Sequence, residues 1–86
     1  MREIKSKIAS LIEKAQVLGL GEVDVNNAKE ELAYLEYEVA FDTIVTQLHE
    51  YEIKVDLEFL RLVDDVCDSL GIEKDRYSFL IELLDE

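Results

Sequence analysis

The chain of 86 residues has no proline and only three glycines, Gly19, Gly21 and Gly71. Sandwiches and barrels need many tight turns, and so few chain breakers cannot supply them; the composition points to helices. A single cysteine, Cys67, excludes an internal disulfide and gives no sign of an oxidising compartment. The first residues carry charges at Arg2, Glu3, Lys5 and Lys7 and hold no uninterrupted apolar run. That is the opposite of a secretion signal or a membrane span, so the expected location is the cytoplasm. Positive charge is the scarcest feature. Nine Lys and Arg face 21 Asp and Glu, for a formal net charge of −12. Such a field repels nucleic acid and anionic membranes and attracts basic partners.

The charge is unevenly spread. Up to Gly19 the chain is net positive, with Arg2, Lys5, Lys7 and Lys14 against Glu3 and Glu13; nearly all the acid lies beyond it. Between Lys29 and Lys54 there is no lysine or arginine, while Glu30, Glu31, Glu36, Glu38, Asp42, Glu50 and Glu52 stand in that window. These acids flank apolar residues and, Glu50 with Lys54 apart, have no lysine or arginine four positions away to pair with, which sets them apart from an ordinary solvated face.

What remains is helical periodicity. The hydrophobic fraction of 49% suits a globular chain, and at this length roughly 60–65% of the unfolded surface can be buried, enough for one core in one domain over 1–86. Ile4, Ile8, Leu11, Ile12, Ala15 and Leu18 predict a first helix from Arg2 to Leu18, ended at Gly19-Leu20-Gly21. A second helix starts at Asp24 as its cap, with Val25, Ala28, Leu32 and Leu35 on its buried stripe. Tyr37, Ala40, Phe41, Ile44, Val45, Leu48 and Tyr51 form a third stripe out of phase with the second, so a break or kink is expected near Glu36. Ile53-Lys54-Val55 reads as an extended connector. Asp56 caps a fourth helix, with Val55 placed to staple onto Leu60. That helix shows Leu57, Phe59, Leu60, Val63, Val66, Cys67 and Leu70 over a wide arc, with Leu62 at its edge, which suggests the most central position. Gly71 ends it, and a last helix carries Tyr77, Leu80, Ile81 and Leu84. The expectation is all-α, a compact bundle of four or five short helices.

No catalytic constellation emerges. His49 lacks a nucleophile or a ligand set in register, and it reads as a surface histidine near Glu38 and Asp42 or as part of a binding face. Cys67 sits among Val63, Val66 and Leu70, with Asp64, Asp65 and Asp68 nearby to disfavour a thiolate; it reads as core. No loop has the spaced oxygen ligands and glycine of a calcium site. Asp68-Ser69-Leu70 is similar to the tripeptide that bears phosphopantetheine in acyl carrier proteins. There, however, the serine begins a helix after a long loop, whereas here Ser69 ends one.

The stretch from Ala28 to Ile53 resembles a known family. Ala28-Lys29, Leu32, Glu36-Tyr37, Val39-Ala40-Phe41-Asp42, Gln47-Leu48 and Glu50-Tyr51-Glu52-Ile53 look like the core pattern of the MafI-type immunity proteins. Leu70-Gly71 followed by Tyr77, Phe79 and Leu80 is similar too. The resemblance covers about two-thirds of the chain, and one position departs from it: Leu35 stands where a glycine is expected before Glu36-Tyr37. The family consists of small helical proteins that protect a bacterium from its own polymorphic toxin, with relatives in contact-dependent inhibition systems. It implies a non-enzymatic protein without cofactor or metal, whose partner is a cognate toxin C-terminal domain. A basic nuclease, such as an RNase, fits the acidic window best. The expected toxin-facing residues are Glu36, Glu38, Asp42, Thr46, His49, Glu50 and Glu52, with Tyr37 or Tyr51 as aromatic anchors unless they pack in the core. A carrier domain loaded through Ser69 and an acidic helical adaptor stand as the alternatives.

Overall fold

The first helix, α1, spans Arg2–Leu18, and its inner face of Ile4, Ile8, Leu11, Ile12 and Ala15 is almost wholly excluded from solvent. Gly19 ends it at φ 120°, a conformation that costs glycine little, and the Leu20 amide reaches back to the Ala15 carbonyl at 3.0 Å. Leu20 is itself buried, so the chain turns directly into the second helix. The structure, a computed structural model, describes residues 2–85.

The second helix, α2, spans Glu22–Ala33. Its cap lies three residues earlier than the sequence suggested, with Gly21 in place of Asp24 and no side-chain cap. Asp24 therefore does not cap. It lies inside the first turn, is only 9% exposed, and its Oδ1 accepts a hydrogen bond from Gln47 Nε2 at 2.9 Å. A carboxylate turned inwards this way needs that donor, because an unpaired buried charge is costly.

The third helix, α3, spans Tyr37–Glu50 and buries Ala40, Phe41, Ile44, Val45 and Leu48. The break expected near Glu36 is real, so α2 and α3 are separate helices. Leu35 does not belong to the α2 stripe: the helix stops at Ala33, and Leu35 lies in the turn, 59% exposed, at φ +62°. Tyr51 also leaves the stripe assigned to it; it follows the last turn of α3 and is 61% exposed.

Past Ile53-Lys54 the backbone is extended at Val55, which forms an isolated parallel β-bridge with Leu84. The Val55 amide donates to the Leu83 carbonyl, and the Asp85 amide donates to the Val55 carbonyl, both at 2.9 Å. Asp56 caps the next helix as its sequence position requires, its Oδ1 accepting from the Phe59 amide at 2.8 Å. This helix, α4, spans Leu57–Leu70 and ends at Gly71, left-handed at φ 71°, with the Ile72 amide bonded to the Cys67 carbonyl at 2.9 Å.

The last element is not an α-helix. Lys74–Leu83 is 3₁₀, with a kink at Tyr77, and it buries Tyr77, Leu80 and Leu83. That spacing of three is the 3₁₀ period, and it replaces the expected set of Tyr77, Leu80, Ile81 and Leu84. Ile81 consequently faces solvent, 63% exposed, and Leu84 is partly covered.

The α2–α3 hairpin packs on one side of α1, and α4 packs on the other. The 3₁₀ segment closes the gap between α3 and α4. The centre of the bundle is thus α1, which touches all three other α-helices, and not α4. The wide apolar arc of α4 has another explanation: Leu57 is 57% exposed and Leu60 and Leu62 are half-buried, so part of the arc opens on a groove. The Cα radius of gyration is 11.5 Å, against about 12 Å for a folded chain of this length. The core is all-α, as the periodicity predicted. Truncating one of its largest side chains, Phe41 or Phe59, to alanine should cost roughly 3–5 kcal/mol.

Candidate functional site: the acidic face of α3

Three sides of α3 are put to different uses. The inner side is core. On the α2 side, Thr43 Oγ1 donates to Glu31 Oε1 at 2.7 Å and Gln47 holds Asp24. On the opposite side, Glu38, Asp42 and His49 form a row facing the 3₁₀ segment. Arg76 Nη1 lies 3.5 Å from Glu38 Oε2, and the Tyr77 hydroxyl donates to Asp42 Oδ1 at 3.3 Å. His49 packs against Phe79 in a tilted arrangement with ring centroids 4.6 Å apart, and its Nε2 is 3.9 Å from Glu82 Oε1.

The seven residues expected to face a partner are therefore divided. Glu38, Asp42 and His49 are exposed, but each is tied to the C-terminal segment. Thr46 and Glu50 lie on the outward face between the two flanks, where Val39 is also 47% exposed. Glu36 precedes α3 and Glu52 follows it; both are exposed, and they bracket a helix roughly 20 Å long. Among the described residues, no cation pairs with Glu36, Glu50 or Glu52. Glu52 is held at φ +52°, which fixes where the chain leaves α3. Of the two proposed tyrosine anchors, Tyr37 is half-buried against the core and Tyr51 is exposed.

The sequence reading missed the partners that the fold supplies. Arg76, Tyr77, Phe79 and Glu82 sit about 30–40 positions away along the chain, and no local pattern links them to α3. It also missed the α2–α3 turn. Tyr34 is 73% exposed beside Leu35, between Glu30 and Glu36. A leucine at positive φ carries no mark in the sequence.

Tyr77 is the most perturbed group at this face. Burial, and then the charge of Asp42, push its phenol up to about 12. Elsewhere the thiol of Cys67 is also pushed up, first by burial and then by Asp64 and Asp68, so it is a poor nucleophile. Ser69 is exposed in the last turn of α4, where its Oγ accepts from Lys7 Nζ at 3.1 Å. A polar cleft of about 310 Å³ between α2 and α3 is lined by Asp24, Glu31, Asp42 and Thr46. Its carboxylates Asp24 and Glu31 are occupied by Gln47 and Thr43. Among the described residues, no group of three or more His, Cys, Asp or Glu is arranged to hold a metal ion. Among the described residues, no helix is long and apolar enough to cross a membrane.

What this arrangement offers is an acidic, helix-borne surface, hydrogen-bonded at both flanks, with unpaired carboxylates at the two ends of α3. Comparison with protein-family models, with curated proteins and with solved structures gives no match for this chain.

Proposed function

We propose that this chain is an immunity protein of the MafI type, which neutralises a cognate bacterial toxin domain in the cytoplasm by binding it one to one. The toxin is a nuclease. A nuclease cleft must be basic to hold phosphates, and an acidic helical surface fits it or the surface beside it. The observation that carries the reading is the set of exposed acids Glu36, Glu50 and Glu52 along a stretch with no lysine or arginine between Lys29 and Lys54. Like-signed charges acting together steer a cationic partner into contact, and rapid capture is what protection against a lethal nuclease requires. The chain performs no chemistry of its own.

The carrier alternative has less support. Ser69 closes a helix, pairs with Lys7 and lies one residue before the Leu70-Gly71 stop, whereas a carrier serine stands at a helix start. Incubation with a phosphopantetheinyl transferase and coenzyme A should leave the intact mass unchanged. A stoichiometric gain, lost in Ser69→Ala, overturns the immunity reading.

The direct test is protection. The reading predicts a nuclease domain encoded beside this chain's gene, and its absence contradicts the proposal; cells that express that domain should survive when the chain is co-expressed, and the two should co-elute in equal amounts. Survival without complex formation, or death despite soluble folded protein, contradicts the proposal.

A further inference from the structure

Three large apolar side chains stand exposed within six residues: Tyr34 at 73%, Leu35 at 59% and Val39 at 47%. Exposed apolar residues scattered singly, such as Val17 and Val23, are ordinary. Tyr34 and Leu35 on the α2–α3 turn, with Val39 in the first turn of α3 and Glu30 and Glu36 beside them along the chain, form an exposed apolar knob with an acidic edge, to which Glu38, paired with Arg76, does not contribute a free charge. No lysine or arginine occurs from position 30 to position 53. Resting on the immunity reading above, we infer that this knob is the anchor of the interface: Tyr34 and Leu35 enter an apolar pocket of the toxin domain whose edge is lined by lysine and arginine.

The turn is built to present those side chains rigidly. The Glu36 amide donates to the Glu31 carbonyl at 3.0 Å, and the Leu35 amide donates to the Leu32 carbonyl at 2.9 Å. The Tyr34 amide bonds back to the Glu30 carbonyl at 3.1 Å. This is the closure that glycine normally gives a helix end, carried out with a leucine at φ +62°. Because the backbone is already ordered, little loop entropy is lost on docking. Tyrosine is one of the residue types that carry most of the energy of an interface, so Tyr34 is the primary anchor and Leu35 fills the space beside it.

The rim decides the occupant. A second copy of this chain carries the same charge of −12 and would bring acid against acid. An anionic membrane is repelled for the same reason. A cationic protein surface pairs with the rim while its pocket covers the knob. By contrast, the groove of about 460 Å³ between α4 and the 3₁₀ segment mixes Arg61 and Lys74 with Asp64 and Asp75, and that edge selects no partner charge.

The test uses the purified nuclease domain encoded beside this chain's gene as the probe. The double variant Tyr34→Ala, Leu35→Asn keeps the turn, since asparagine tolerates the left-handed conformation. Its Kd should rise on the order of 100-fold, through faster dissociation, with the salt dependence of association unchanged and the helical circular dichroism intact. If the double variant loses its helical signal, Tyr34→Lys, which leaves the Leu35 backbone untouched, is judged by the same comparison. A Kd within about threefold of wild type overturns the anchor while leaving the immunity reading in place. Failure of the wild-type chain to bind the domain at all overturns both. A wild-type dimer in sedimentation equilibrium that the double variant abolishes makes the knob a self-contact, and that also overturns the proposal.

Discussion

The Tyr77 hydroxyl donates to Asp42 Oδ1 at 3.3 Å, and the same ring meets Phe41 edge-on with centroids 4.8 Å apart. One side chain of the 3₁₀ segment thus touches both the core and the acidic row of α3. Asp42 is therefore part of what holds the C-terminal segment down, as well as a surface charge. The same applies to Glu38 through Arg76 and to His49 through Phe79 and Glu82.

The first prediction concerns alkaline pH. The phenol of Tyr77 is raised from about 10 in the unfolded chain to about 12 in the fold, by burial and by Asp42. The neutral phenol is the favoured native form, so its contribution to stability is fully present below pH ~10 and is lost as the pH rises through ~12. Wild type should lose stability over that window more steeply than Tyr77→Phe. Near neutral pH the substitution should cost less than about 1 kcal/mol, because the exposed Asp42 takes water in place of the hydroxyl. Chemical denaturation at a series of pH values measures both; equal slopes above pH ~10 would show that Tyr77 is solvated.

The second prediction concerns Leu35. Its left-handed backbone costs an ordinary residue about 1–2 kcal/mol that glycine avoids. Leu35→Gly should therefore stabilise the isolated protein by about 1 kcal/mol, after the greater entropy of unfolded glycine is set against the relief. That corresponds to a rise in Tm of roughly 4–8 °C for a domain this small. A fall in Tm would mean that the half-exposed side chain packs better than its exposure indicates.

The elements legible in the sequence were those marked by residues with one dominant physical role. Gly19 and Gly71 end α1 and α4, Asp56 caps α4, and the four-residue recurrence of Ile4, Ile8 and Ile12 defines a face. Asp24 was misread because an acid in the first turn of a helix can cap or turn inwards, and the deciding partner, Gln47, lies 23 residues away. The 3₁₀ segment was misread because Tyr77, Leu80, Ile81 and Leu84 fit an α-helix as well as Tyr77, Leu80 and Leu83 fit a period of three. The choice falls to the bridge between Val55 and Leu84, a long-range contact. At the candidate site the charge was legible, while its division between free and tied carboxylates was not, since only the fold brings Arg76 and Tyr77 to α3.

A third prediction concerns the core thiol. Cys67 is 1% exposed and its thiol is held protonated by burial and by Asp64 and Asp68. A thiol reagent at neutral pH should modify it only as fast as the protein opens, and quickly in denaturant. Cys67→Asp should cost roughly 3 kcal/mol or more, a large share of a total near 5–10 kcal/mol, by placing an unpaired charge in the core. Cys67 lines the groove between α4 and the 3₁₀ segment, and rapid labelling of the folded protein would show that this groove admits the reagent to the thiol.

The central claim is that the free carboxylates of α3 capture a cationic toxin domain, and its most direct measurement is the association rate under changing salt. Glu36 and Glu50 are the acids to reverse, because Glu38 and Asp42 also anchor the 3₁₀ segment and their loss would confuse folding with binding. Rapid mixing of wild type and of Glu36→Lys, Glu50→Lys with the neighbouring nuclease domain gives both rates at low and physiological ionic strength. The account predicts association slowed by about tenfold or more in the double reversal at low salt, with a flatter salt dependence, unchanged circular dichroism and weaker protection of cells. Association as fast and as salt-sensitive as wild type, with full protection, would show that this face of α3 is only solvated surface.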